Sequence, residues 1–310
     1  MSHAHEEIAP PPNNVENFDS SWKDWLFYLY TQVKNNMAAK DPWIEHAKAI
    51  IRADYGVEVS LEAKNKDLLK FGRCKMIETA GLLQTVEIYP TGGTLENETY
   101  LATNDIDYIV SSSTADIAAN SSSDITIEGH TISGGVFTFV SQPAVLTGQT
   151  PVQLTTPLAR VTRVYNNDSA DFTGSISVYD SSVTTTVTAG VPAAGYTGVH
   201  LTTRAGKNNS EKCSTTLSDS DYWVITGVYG DVLTKSTEDI EFEFQVRLKG
   251  KVFRTWFEFT AKDGIGTFRS SAPYIIVPPN SDIRIRAAND GTVTGDCEVS
   301  AGIFGALLKA

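Results

Sequence analysis

Residues that build chemistry at close spacing are scarce in this sequence. Its three cysteines, Cys74, Cys213 and Cys297, are widely separated and form no CxxC pair, which excludes a zinc ribbon or dithiol redox motif and leaves free thiols as the expected state. There is no G-x-S-x-G elbow and no H-E-x-x-H pair, so the common hydrolase and metalloprotease signatures are missing. No apolar run approaches the roughly 18 residues of a bilayer-spanning helix, and no membrane association is expected. Cations are outnumbered: 25 Lys and Arg against 37 Asp and Glu give a net charge of −12, which repels nucleic-acid phosphates unless a local basic patch overrides it. These features point away from an enzyme, from any cofactor or metal, and from direct nucleic-acid binding, sequence-specific binding included.

What is present suits an ordinary globular protein, with 41% hydrophobic and 20% charged residues. A chain of 310 residues fits one large domain or two modest ones and buries roughly three quarters of its unfolded surface. Residues 1–19 contain Pro10, Pro11 and Pro12 among polar neighbours, with neither the basic start nor the apolar core of a secretory leader, and read as a flexible arm. His3 and His5 lack a carboxylate or thiol partner there and read as solvated.

Residues 20–81 read as a helical attachment segment. Trp22, Trp25, Leu26, Leu29 and Val33 recur at three- and four-residue steps behind Asp19-Ser20-Ser21. Asp41-Pro42 supplies an N-cap and a first-turn proline for a second helix lined by Trp43, Ala47, Ile50 and Ile51 and closed by Gly56. A third helix is expected from Ser60 through Leu61, Leu68 and Leu69 to Phe71-Gly72. Phe27 and Tyr30 lie on a different side of the first helix from Trp22 and Trp25. These four aromatics therefore form a candidate interface, one side packing internally and the other meeting a neighbouring subunit.

From residue 82 to 310 the pattern is strand-like, with short alternating runs bounded by Gly, Ser and Thr. Ile240, Phe242, Phe244, Val246 and Leu248 share one face, and Glu241, Glu243, Gln245 and Arg247 the other. A reversal at Lys249-Gly250 predicts Val246 opposite Phe253, Phe244 opposite Thr255, Phe242 opposite Phe257 and Gln245 beside Arg254. Other predicted strands include 82–89, 108–110, 125–128, 136–140, 158–165, 175–179, 222–229, 274–277, 283–287 and 298–307. With no fixed repeat, the expected fold is mainly β: a jelly-roll-like antiparallel β-sandwich preceded by a short α-helical N-terminal segment. Residues 111–124 and 180–198 read as long surface loops.

Other candidate sites are weakly specified. Cys213 with His200 is a formal nucleophile and base, recognisable only by geometry. Asp105 with Asp107, and Glu241 with Glu243, present paired carboxylates on one strand side but lack a third acidic ligand and read as solvent-facing. Asp263-Gly264-Ile265-Gly266 reads as a turn rather than a phosphate loop. The N-x-S/T matches at Asn97, Asn120, Asn167 and Asn208 read as chance. Arg160 with Arg163, and Arg284 with Arg286, alternate on strands and can pair with carboxylates of an adjacent subunit or of the same chain.

The runs Ile127–Ile132, Phe137–Val140, Leu154–Arg163, Lys251–Thr255 and Ile275–Arg284 together resemble structural proteins of tailed bacteriophage particles, particularly those infecting marine bacteria. The resemblance spans roughly residues 82–307 and carries no catalytic residues. It implies a virion component assembled in the host bacterial cytoplasm, with a β-sandwich body that forms homo-oligomers and contacts other virion proteins such as the major capsid protein. Capsid decoration or a minor capsid role is the first expectation, and a tail or neck component or a carbohydrate- or receptor-binding module is the alternative. Replacing Phe27 and Tyr30 with Ser is expected to leave thermal unfolding of the isolated chain nearly unchanged while weakening oligomerisation or particle attachment, measured by sedimentation and copurification. A large loss of monomer stability with undiminished attachment would assign them to an internal core.

Overall fold

A proline at the first helical position and a glycine just past the last one bracket an α-helix of this structure, a computed structural model describing residues 42–61, 68–76, 85–87, 100–181, 187–193, 198–232, 240–261, 265–269, 275–289 and 297–310. The chain divides into two units, Met1–Glu58 and Val59–Ala310. In the first, helix α1 (Pro42–Tyr55) begins where proline's missing N–H costs nothing. It ends at Gly56, whose φ of +69° suits glycine and whose N–H donates to the Arg52 carbonyl. Ile44, Ala47 and Ile51 are buried at steps of three and four residues. The expected first helix, with Trp22, Trp25, Phe27 and Tyr30, lies outside the described residues.

The third expected helix is corrected: the chain there forms β1 (Ser60–Leu61) and β2 (Leu68–Met76). The apolar residues of Leu68–Phe71 match either period, and a nine-residue antiparallel ladder running from Leu68 opposite Gly305 to Met76 opposite Cys297 decides for strand. Strand β3 is Thr85–Glu87.

The next ten strands are β4 (Ile106–Ser111), β5 (Asp124–Ser133), β6 (Val136–Val145), β7 (Val152–Leu158), β8 (Arg160–Asn166), β9 (Ile176–Asp180), β10 (Val187–Thr188), β11 (Val191–Pro192), β12 (Val199–Thr203) and β13 (Asn209–Glu211). They build two four-stranded sheets, β12-β9-β4-β7 and β13-β8-β5-β6, and the small hairpin β10–β11. Both sheets feed one core that includes Ile109, Ile125, Leu158, Val164, Phe172 and Val178.

Eight more strands follow: β14 (Ser214–Thr216), β15 (Asp221–Val232), β16 (Ile240–Arg247), β17 (Arg254–Ala261), β18 (Ile265–Arg269), β19 (Ile275–Val277), β20 (Asp282–Asn289) and β21 (Cys297–Lys309). Sheet β14-β20-β16-β17, with β3 added beside β20, opposes a sheet in which β21 lies between β1 and β15, β2 also pairs with β21, and β15 also pairs with β18 and β19. Trp223, Val228, Phe242, Phe244, Ile285 and Ile303 fill the core between them. Gly230 permits the approach, because a Cβ there would lie 2.6 Å from the Phe242 ring. The fold is thus mainly β and sandwich-like, as expected; among the described residues the body holds two large core clusters, the second pair of sheets being inserted between β3 and β14. Ile265 and Gly266, expected in a turn, belong to β18. The loop after β4 is pinned by buried Asp116, which accepts hydrogen bonds from the Ser111 hydroxyl and from the Thr173 and Gly174 N–H groups.

The β16–β17 register also differs from expectation. Phe244 faces Phe257, Phe242 faces Phe259, and Gln245 faces Thr255, with Trp256 as the extra residue of a bulge. The cause is aromatic packing: Phe244 stacks on Phe257 at 4.7 Å and Phe242 on Phe259 at 5.3 Å, contacts the expected register would break. A double-mutant cycle with Phe244→Leu and Phe257→Leu is expected to give a coupling of about 0.5–1.5 kcal/mol in denaturant unfolding. A larger coupling between Phe242 and Phe257 would restore the expected register.

Candidate functional site

Oppositely charged side chains meet where the two sandwiches join. Arg247 ends β16, Asp282 begins β20 directly opposite it, and Thr216 of β14 lies across from Asp282 on the other side. Arg160 reaches the same point from the inserted sandwich, at the start of β8. A bulge at Gly129 aims it there: the β5–β8 register shifts between Glu128 and Gly129, and a Cβ on Gly129 would sit 2.1 Å from the Arg160 carbonyl oxygen.

The Asp282 carboxylate is buried and fully engaged. Arg160 Nε donates to Oδ1 at 3.0 Å, the Thr216 hydroxyl donates to Oδ1 at 2.7 Å, and Arg247 Nε donates to Oδ2 at 2.9 Å, with its Nη2 on the same oxygen. Burial alone pushes this carboxyl up, but the two guanidinium groups and these hydrogen bonds outweigh it and hold it below the usual carboxylate value. Arg160 Nη1 donates to the carbonyls of Ala159 and Leu101. The Tyr100 ring lies 4.9 Å from the Arg160 guanidinium and 4.7 Å from that of Arg247, and packs edge-on against Phe253. A backbone clasp runs alongside: Asn280 Oδ1 accepts from the Phe137 N–H, and the Phe137 carbonyl accepts from the Asp219 N–H.

These groups surround a cleft of about 210 Å³. Besides Arg160, Arg247 and Asp282, its lining includes Lys249 and Lys251, carried by the β16–β17 turn, and Gly135 of the β5–β6 turn. Four cations therefore meet one carboxylate, in a chain whose net charge is −12.

Among the expected interface residues, Arg160 is 4% exposed and its Nε pairs with Asp282 of the same chain. Arg163 donates to Asn209 Oδ1 and lies over Tyr165. Arg284 donates to Gln245 Oε1 and stacks 3.8 Å over Phe253. Arg286 stands in register between Glu243 and Glu87. The structure brings Arg160 and Arg284 to the same Tyr100 ring and leaves Arg163 and Arg286 elsewhere. Sequence reasoning passed over Asp282, Arg247, Tyr100 and Asn280; the available signal was Pro278-Pro279-Asn280 punctuating the chain just before a strand that opens on an acid.

Asp107 accepts from the N–H and hydroxyl of Ser181, and Asp105 from the Thr103 hydroxyl. His200 is buried, and neither ring nitrogen has a hydrogen-bond partner among the described residues. Among the described residues no group of three or more His, Cys, Asp or Glu could hold a metal ion. No protein-family model matches the sequence, and neither does any curated protein.

Burial, then the charges of Lys212 and Arg160, hold the His200 imidazole well below its ordinary value, so it is neutral in the fold. Below the ordinary imidazole pKa of about 6.5 the unfolded chain binds a proton that the folded chain refuses, so stability falls as pH drops through that range. Asp282 adds a further loss of the same sign under more acidic conditions, as pH falls from the usual carboxylate range to its lowered value. Urea unfolding at stepped pH is expected to show both declines, and His200→Gln to remove the first. A stability flat across the imidazole range would contradict a neutral buried His200.

Proposed function

We propose that this chain is a non-enzymatic structural protein of a tailed-phage particle, a capsid decoration or minor capsid protein whose jelly-roll-like sandwich body acts through multivalent subunit contacts. The observation carrying this reading is the seam between the sandwiches. Of the sequence runs that resemble virion proteins, Leu154–Arg163 contains Arg160 and Ile275–Arg284 contains Asp282, the two partners of the buried ion pair. A body fastened in this way presents its hairpin turns in fixed relation, the property required when many copies bind a symmetric surface. Each contact can then be weak while the array is held far more tightly. Partners are further copies and other virion proteins such as the major capsid protein, joined in the host bacterial cytoplasm.

Electron microscopy of intact particles tests the reading directly. Density for the double sandwich at regular positions on the head is the expected result. Density on the tail or neck would move the chain to that role, and its absence from purified particles would overturn the proposal.

A further inference from the structure

Asp282 neutralises only one of the two guanidinium groups that share it, and two further cations, Lys249 and Lys251, stand at the mouth of the same cleft. Arg160 uses Nε and Nη1 within the chain, which leaves Nη2 for the cleft it lines. Excess positive charge in a partly dry cleft is unfavourable until an anion joins it. The walls and rim decide which anion. Tyr100 and Phe137 line the cleft, and the turn carrying the two lysines also exposes Leu248 at 39% and Val252 at 71%. Basic and apolar groups in alternation suit a polypeptide that offers a carboxylate beside apolar side chains, whereas a phosphate backbone has nothing to place on Leu248 and Val252. The cleft's volume of about 210 Å³ admits one side chain rather than a folded element.

We infer that this cleft receives an exposed acidic side chain from a second copy of this chain. The reasoning rests on the reading that the protein works through subunit contacts. Two copies at −12 each repel over most of their surfaces, so a contact between them is favoured where the cationic cleft of one meets the acidic surface of the next. Such a contact can be made twice in a two-fold pair, the cleft of each copy taking an acid of the other, or once per copy in a ring or array.

Sedimentation velocity of the full chain, against concentration and salt, tests this with Lys249→Glu/Lys251→Glu and with Lys207→Glu, a reversal on a turn outside the cleft. Both lysines of the cleft are exposed, so the fold is expected to survive, with circular dichroism and thermal unfolding confirming it. The expected result is self-association that weakens with added salt, weakens by about tenfold or more in the double variant, and is unchanged in Lys207→Glu. A monomer at every concentration reached, self-association indifferent to the double variant, or binding of a DNA duplex that the double variant abolishes would each overturn the inference. Cleft-dependent self-association by a chain absent from particles would leave it standing and sink the virion reading alone.

Discussion

One buried carboxylate fastens the body together. Asp282 belongs to the outer sandwich, and of the two guanidinium groups it holds, one comes from its own sheet and one from the inserted sandwich. Removing a partner from such a group leaves a charge stranded away from water, which typically costs about 3–5 kcal/mol, a large share of a domain's net stability. Each sandwich has its own apolar core, and hydrophobic burial carries no orientation. Charge-assisted hydrogen bonds do, and together with the Asn280–Phe137 clasp they fix the angle at which the second core stands on the first.

The parts of this fold that were readable in the sequence are those set by nearest neighbours. Pro42 and Gly56 bracket α1 because proline and glycine act on their own backbone. The alternation from Ile240 to Arg247 marks a strand with one buried face because side-chain direction has a period of two. Where a distant segment decides, local pattern fails. Leu68–Met76 became a strand because of residues near the other end of the chain, and the β16–β17 register was settled by two ring stacks and a bulge at Trp256 that no turn rule encodes.

The site was half legible for the same reason. Arginines alternating on a strand announce themselves, and Arg160 and Arg284 were singled out. Their surroundings were not: an adjacent subunit and the same chain both stood open as the source of Arg160's carboxylate, because the acid that pairs with it lies beyond several intervening strands. Lys249 read as a turn residue and Lys251 as the start of the next strand, since only the folded chain brings them to the cleft that Arg160 lines.

The insertion also imposes an order on synthesis. Every strand of the inserted sandwich is translated before β14, so that module can close while the strands that complete the other are still being made. The outer sandwich cannot follow suit, because β21, which lies between β1 and β15 and also pairs with β2, leaves the ribosome after all the strands it joins. Until β20 is made Arg160 lacks its partner Asp282, and until β21 is made β1, β2 and β15 lack the strand they share. A chain cut short before β21 is therefore expected to leave β1, β2 and β15 without the strand that joins them.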